Sequence, residues 1–243
     1  MVFIYCIFAL VLCYGFFSFF FYRMPFTISW INDFFVKKEK IAPHERNRII
    51  FAGGSSTLFG IHASLAERKF KVPTVNFGIA SGLQTDYYFY RLKQIAQEGD
   101  LIILPLEYSF YCFDGTVSTI KEQYIRTFDR DYLYKLPPHK LARFAYNKTP
   151  VDLLRSVWDI YRHIRNHHNK MYEKINYNPN MTNANGDQTL NVGNEIFLRK
   201  YNNGYYQPVI IPGEGSYETA GLALINDFNN WCRENHVKAL LSG

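Results

Sequence analysis

Three short apolar runs alternate with two amphipathic patterns in the first half of the chain. Near-continuous hydrophobicity in the third run indicates a strand that is covered on both faces, as in a parallel sheet. Strands and helices therefore alternate, and this alternation predicts a doubly wound α/β fold. The predicted strands are 48–52, 72–77 and 101–106, and the predicted helices between them are 57–70 and 85–97.

The regular alternation stops after the third predicted strand. Residues 110–207 are rich in aromatic residues, Asn and Gly, and are predicted to form an insertion with an amphipathic helix over 151–168. The segment 176–207 is predicted as a long loop, either a lid over the site or a poorly ordered flap. A predicted helix over 217–234 and strand over 237–241 should lead into another crossover, so we expect the domain to be C-terminally incomplete.

An uncharged apolar segment opens the chain at residues 2–22. About 20 apolar residues suffice to span the hydrocarbon core of a membrane. The segment lacks the preceding basic residues and the small-residue cleavage site of a signal peptide. Residues 1–24 are therefore predicted as a single-pass anchor, 25–46 as a juxtamembrane linker with an amphipathic middle, and 47–243 as the α/β domain.

Charge and cysteine content narrow the function classes. The net charge is +6, but no basic stripe with groove-reading motifs is present, so no nucleic-acid partner is expected. Cys112 and Cys232 lie far apart and lack zinc-site spacing, so no metal or cofactor is predicted. The two cysteines either form a disulfide or, in the interpretation that we prefer, are two unrelated buried thiols.

The charges that follow the anchor bear on its orientation in the membrane. Arg23, Lys37, Lys38 and Lys40 would by themselves place the domain in the cytoplasm.

Candidate chemistry is concentrated after the first predicted strand, at Gly53, Gly54 and Ser55. A serine on a tight strand-to-helix turn can present its hydroxyl where backbone N–H groups stabilise an oxyanion. Ligands of doubly wound sheets bind outside the C-terminal ends of the strands. Ser55, Gly82 and Glu107 each follow a predicted strand, so we expect them to lie at one edge of the sheet.

These residues and their order resemble the SGNH/GDSL hydrolases. Gly53-Gly54-Ser55 stands where that family carries Gly-Asp-Ser, and 75–82 (Val-Asn-Phe-Gly-Ile-Ala-Ser-Gly) resembles its second block. Residues 100–108 resemble the strand that leads into the third block, but Glu107-Tyr108 replaces Gly-x-Asn-Asp. The Asp-x-x-His block is not found. The resemblance covers roughly residues 47–110, and residues 216–243 fit its architecture.

The resemblance implies a three-layer sandwich with a mostly parallel, flavodoxin-like sheet. It implies Ser55 as the nucleophile and Gly82 and Gly54 as oxyanion-binding residues. Glu107 and Tyr108 occupy the third-block region without matching it. A carboxylate there would repel an oxyanion but could orient a sugar hydroxyl, so the two are candidate substrate-binding residues, and the alternative is a strand-end surface pair. Members of the family act as esterases or O-acyltransferases on acylated cell-surface carbohydrate. Anchored members usually work outside the cytoplasm, so an extracytoplasmic, periplasmic domain is expected despite the charges that follow the span.

Several alternatives stay open at this point. Ser56 could replace Ser55 as the nucleophile, and Gly78 could replace Gly82. A serine is a weak nucleophile without a base, and in the family that base comes from the Asp-x-x-His block that is not found here. No other histidine is predicted to replace it, and His139 would be the first candidate. His163 and His167 are four residues apart, a spacing that can bind a metal ion, but they are better explained as part of a solvated basic helix face. The expected function is therefore a weakly active or inactive SGNH-like protein, and the alternative is a non-catalytic, membrane-tethered binding or scaffold protein.

Overall fold

A computed structural model describes most of the chain. The described residues are 2–21, 28–41, 46–146, 158, 161, 165, 178–189 and 219–241. Most of the helix predicted over 151–168 and most of the loop predicted over 176–207 lie outside these residues.

The centre of the fold is a parallel sheet. Its described strands are β1 (Ile49–Phe51), β2 (Thr74–Asn76), β3 (Leu101–Leu104) and β4 (Lys238–Leu241), in the order β2-β1-β3-β4. All three pairings are parallel. The predicted α/β class with a parallel sheet is confirmed. In this order the chain reverses its direction of winding between β1 and β3, so β1 and β3 are neighbours at the switch point of the sheet.

Ten helices are labelled here in chain order, and they lie around the sheet. Their bounds are α1 Val2–Phe21, α2 Ser29–Ile41, α3 Ser55–Gly60, α4 Ala63–Phe70, α5 Thr85–Ile95, α6 Tyr108–Tyr111, α7 Thr119–Phe128, α8 Asp131–Lys135, α9 Pro138–Tyr146 and α10 Ala220–Glu234. Short 3₁₀ turns occur at Ser81–Leu83 and Pro179–Met181.

The first predicted helix, 57–70, is wrong as a single element, because the structure divides it into α3 and α4. Ile61 has extended backbone angles (φ −105°, ψ 135°) and ends α3. The side-chain amide of Asn76 donates to the carbonyls of Thr57 and Ile61, both at 3.0 Å, and so satisfies the end of α3. Asp187 then accepts the N–H groups that begin α4. The break is therefore imposed by residues distant in sequence.

Helix α2 lies in the segment predicted as a juxtamembrane linker, and it packs into the core. Ile31, Phe34 and Phe35 on its apolar face are buried. The ring of Phe35 contacts the rings of Phe77 and Tyr124, with centroids 5.9 and 5.6 Å apart. Residues well before position 47 thus contribute to the folded domain.

An ion-pair group ties α2 to α5 and α7. Arg91 of α5 pairs with Glu39 of α2 and, at 3.2 Å, with Asp129 at the end of α7. The hydroxyl of Tyr87 donates to the same Asp129 carboxylate at 2.7 Å. These side chains are largely buried, so removing one partner would leave a charge uncompensated.

Helix α1 contains 20 residues and none of them is charged. Its described apolar side chains, among them Phe3, Phe8 and Leu10, are exposed. Across the residues that the structure describes, no helix was found that is both long enough and apolar enough to cross a membrane.

The described part of the long loop, 178–189, lies against the outer edge of β2. The N–H of Asn76 donates to the carbonyl of Asn185 at 2.8 Å, and the Asn185 side chain donates to the carbonyl of Thr74 at 2.9 Å. The loop therefore covers polar backbone groups of β2.

The two cysteines of the domain are both free. Cys112 is exposed and Cys232 is buried on α10. Burial raises the pKa of the Cys232 thiol to about 11. The two thiols are therefore unpaired, as expected, but only one of them, Cys232, is buried.

Candidate functional site

The turn after β1 is held by the hydroxyl of Tyr88. Tyr88 lies on α5 and is fully buried. Its hydroxyl accepts the N–H of Gly53 at 2.9 Å and donates to the carbonyl of Phe77 at 2.6 Å. Burial raises the pKa of Tyr88 well above its usual value, so the hydroxyl stays protonated. One side chain thus joins the C-terminal ends of β1 and β2.

Glycines after β1 allow the end of β3 to approach this turn. A Cβ on Gly53 would overlap the Thr57 hydroxyl and lie 3.0 Å from the Pro105 carbonyl oxygen. A Cβ on Gly54 would overlap the carboxylate of Glu107. Glycine is required here because of this close approach rather than because of a left-handed backbone.

Glu107 binds the backbone on both sides of Ser55. One carboxylate oxygen accepts the N–H of Gly54 at 2.9 Å, and the other accepts the N–H of Ser56 at 2.8 Å. Glu107 directly precedes α6, in the segment after β3. Its carboxylate therefore bridges the gap between β3 and β1, at the point where the winding of the sheet reverses.

Ser55 is the first residue of α3 and is half-buried, whereas its neighbour Ser56 is exposed. The structure therefore places the serine at the C-terminal edge of β1, next to Glu107. Tyr108 lies one residue beyond Glu107, and a hydrogen bond with Cys112 raises the pKa of its hydroxyl. Ser55, Gly54, Glu107 and the backbone of Tyr108 are thus brought together.

Gly82 lies in the 3₁₀ turn Ser81–Leu83, beyond the end of β2. Its carbonyl accepts the Ser118 hydroxyl at 2.6 Å, and a Cβ added to it would contact Ile120 at 2.9 Å. These contacts direct Gly82 towards α7. Among the described residues, no hydrogen bond joins Gly82 to Ser55.

Gly78, the alternative oxyanion glycine, lies directly against α3. A Cβ on Gly78 would overlap the N–H of Leu58 and lie 2.7 Å from the carbonyl carbon of Thr57. Its own N–H donates to the side-chain oxygen of Asn76 at 2.9 Å. The structure therefore places Gly78, rather than Gly82, beside the helix that carries Ser55.

Lys38 of α2 reaches the same region from the opposite side and was not anticipated as a site residue. Its ammonium group donates to the carbonyl of Gly78 at 2.6 Å and faces the side-chain oxygen of Asn76 at 3.4 Å. Lys38 is fully buried, and burial lowers its pKa to about 7 although the negative charge of Asp187 opposes the shift. The burial of Lys38 could have been predicted from the sequence, because Lys38 follows Ile31 by seven residues and so lies on the apolar face of α2.

The described histidines do not supply a base for Ser55. His62, His139 and His236 are exposed, at the start of α4, in the first turn of α9 and after α10. Within the described part of the chain, no hydrogen bond joins any of them to Ser55. The four other histidines lie outside the described residues. No group of three or more His, Cys, Asp or Glu residues that could hold a metal ion occurs among the described residues.

Comparison of the chain with protein-family models, with curated proteins and with solved structures found no match. The SGNH/GDSL resemblance therefore depends on the sequence residues that carry it.

The carboxylate of Glu107 limits the acyl-transfer chemistry that Ser55 can perform in this arrangement. An oxyanion bound by the N–H groups of Gly54 or Ser56 would have to displace a carboxylate, or lie beside it. Two like charges about 4 Å apart repel by about 4 kcal/mol at the effective dielectric constant of a protein surface. As observed, the site does not favour a tetrahedral intermediate of acyl transfer at Ser55.

Proposed function

We propose that this chain is a membrane-anchored, SGNH-like protein that is weakly active or inactive as an ester hydrolase. It is related, on this proposal, to esterases or O-acyltransferases that act on acylated cell-surface carbohydrate. The carboxylate of Glu107 occupies the backbone N–H groups on either side of Ser55, and this one observation carries the proposal.

The strand order supports the SGNH-like part of the proposal. A parallel sheet in the order β2-β1-β3-β4, with helices around it, is compatible with the three-layer sandwich of that family. The serine follows β1 and the glycine segment follows β2, in the order of the first two family blocks, whereas Glu107 stands after β3 where the third block is missing.

The part of the chain that the structure describes offers Ser55 no base, and this supports low activity. A serine hydroxyl attacks a carbonyl efficiently only when a positioned base accepts its proton. Glu107 is the acidic side chain that binds the residues on either side of Ser55, and both of its oxygens already accept backbone N–H groups. Those hydrogen bonds make the carboxylate a structural partner of α3.

The membrane anchor and the extracytoplasmic location are further parts of the proposal. The lack of charge in α1 and its exposed apolar side chains support membrane lipid as a partner. Retention of the full chain in membranes during alkaline carbonate washing would be expected. Release of the full chain into the supernatant would contradict the anchor.

Turnover of p-nitrophenyl acetate by the full chain in detergent tests the proposed activity. Wild type and Ser55→Ala should give equal rates close to the uncatalysed background. Such a result would favour the non-catalytic binding or scaffold alternative. Fast turnover that is lost in Ser55→Ala would contradict the proposal and show that another residue supplies the base.

A further inference from the structure

Helix α4 exposes two large apolar side chains. Leu65 is 53% exposed and Phe70 is 58% exposed, although the helix packs against β2 through its other face. The ammonium group of Lys69 lies 5.8 Å from the centre of the Phe70 ring. Apolar and cationic groups therefore share the outer surface of this helix.

All the charge on the outer surface of α4 is positive. Arg68, Lys69 and Lys71 are exposed. The one acidic residue of the helix, Glu67, is directed inward, where its carboxylate accepts the N–H of Thr74 at 3.1 Å and the side-chain amide of Asn185 at 2.6 Å. The outward face therefore presents three cations without an anion on the same helix.

The loop 178–189 links the helix that follows the proposed anchor to the start of α4. Lys37 of α2 donates to the carbonyl of Pro179 at 2.9 Å, at the start of the loop 178–189. At the other end of that loop, Asp187 accepts the N–H groups of Ala63 and Ser64, the first residues of α4. The loop thus connects α2 to α4 along one flank of the domain.

We propose that α4 docks on the surface of a membrane that contains anionic lipid. Leu65 and Phe70 enter the headgroup region, while Arg68, Lys69 and Lys71 bind lipid phosphates. Amphipathic helices with basic and aromatic residues bind membrane interfaces in this way, and exposed apolar patches bounded by charge mark interaction surfaces. Anionic lipid is the occupant that complements an outward face whose charge is entirely positive.

This inference rests on the proposed anchor, because a tether raises the effective concentration of α4 at the bilayer. Without a tether, an eight-residue helix with two apolar side chains presents little area to a membrane. The experiment therefore measures anchoring and docking separately in the same sample.

The full chain is reconstituted in vesicles of phosphatidylcholine, with and without phosphatidylserine, and with brominated acyl chains in a parallel set. Phe70→Trp reports docking through quenching of the new tryptophan by bromine, after subtraction of the wild-type signal. Tyr134→Trp is the matched control, because Tyr134 is an aromatic residue on α8 that is 85% exposed. Flotation after a carbonate wash reports anchoring.

We expect the tryptophan at position 70 to be quenched in vesicles with phosphatidylserine and the tryptophan at position 134 to remain unquenched. Changing Lys69 and Lys71 to glutamine should weaken docking roughly fivefold for each charge removed. The isolated change Glu98→Gln, at an exposed acid elsewhere, should leave quenching unchanged.

Each other outcome decides between the two proposals. Flotation with equal quenching at positions 70 and 134 would overturn docking and leave the anchor standing. Quenching at position 70 before the wash, together with failure to float after the carbonate wash, would show docking without an anchor. Failure to float under any condition would overturn both. A blue shift at position 70 that needs no lipid and grows with protein concentration would show a second copy as the occupant and overturn docking.

Discussion

A carboxylate oxygen of Glu107 accepts the backbone N–H of Gly54 at 2.9 Å, across the gap between β3 and β1. The second oxygen accepts the N–H of Ser56 at 2.8 Å. The candidate nucleophile Ser55 therefore lies between two amides that already have a charged partner. This contact decides both the stability of the turn and the chemistry available to it.

Replacing Glu107 with alanine should destabilise the folded protein. Two backbone N–H groups would lose a charged acceptor, and hydrogen bonds to charged groups contribute about 1.5–3 kcal/mol each when buried, less at this half-buried position. We expect a loss of about 1–2 kcal/mol in the free energy of unfolding, measured by urea denaturation in detergent micelles. Glu98→Ala, at an exposed position, is the control. Equal stability of the two variants would contradict the structural role of Glu107.

Gly54→Ala should be destabilising because its Cβ would overlap the Glu107 carboxylate. The carboxylate can move away, but it then loses its two amide partners. The cost should therefore be smaller in a Glu107→Ala background, and a double-mutant cycle should give a coupling energy of about 0.5–3 kcal/mol. Gly60→Ala, where an added Cβ meets no atom within 4 Å, should be neutral or stabilising. Additive effects of Gly54→Ala and Glu107→Ala would show that the two residues do not interact.

Lys38 should make the stability of the domain depend on pH. Its pKa falls from 10.5 to about 7 on folding. Between those values the unfolded chain binds one more proton than the folded chain, so stability rises with pH across this window. The substitution Lys38→Met should consequently cost less stability at pH 6, where the buried ammonium is charged, than at pH 9. A cost that is the same at both pH values, by urea denaturation, would refute the shift.

Asp187→Ala should loosen the start of α4 and the loop 178–189 together. Its carboxylate accepts the N–H of Ala63 at 2.6 Å and that of Ser64 at 2.9 Å, and it is buried. Loss of such a cap costs about 0.5–2 kcal/mol. Hydrogen exchange should accelerate at α4 and at β2, which the loop covers, and should stay unchanged at β3. Asn180→Ala, an exposed change in the same loop, should leave exchange at α4 unaltered.

The strands could be predicted because burial leaves a local pattern. One observed strand, of three or four residues, lies within each of the predicted runs 48–52, 72–77, 101–106 and 237–241. Continuous apolar runs also indicated a parallel sheet. The apolar pattern by itself could not supply the pairing order, because the order depends on which crossover packs on which face.

Contacts between distant residues explain what the sequence did not reveal. The break between α3 and α4 depends on Asn76 and Asp187, and the second of these lies 124 residues from its partner Ala63. The burial of Lys38 could have been predicted from its place on the apolar face of α2, but the sequence analysis counted it only among the charges that follow the anchor. The pairing of Glu107 with α3 had no local signal, because a carboxylate after a strand is equally common on solvated edges.

The most direct test of the central claim is the covalent labelling of Ser55 by a fluorophosphonate probe. Such a probe phosphonylates a serine only when a base activates the hydroxyl and N–H groups bind the phosphoryl oxygen. The full chain is incubated with the probe and the modified residues are mapped by mass spectrometry, with Ser55→Ala as control. With Glu107 bound to the N–H groups of Gly54 and Ser56, we predict no adduct at Ser55 above the background seen at exposed Ser56. Rapid, stoichiometric modification of Ser55 would contradict the claim.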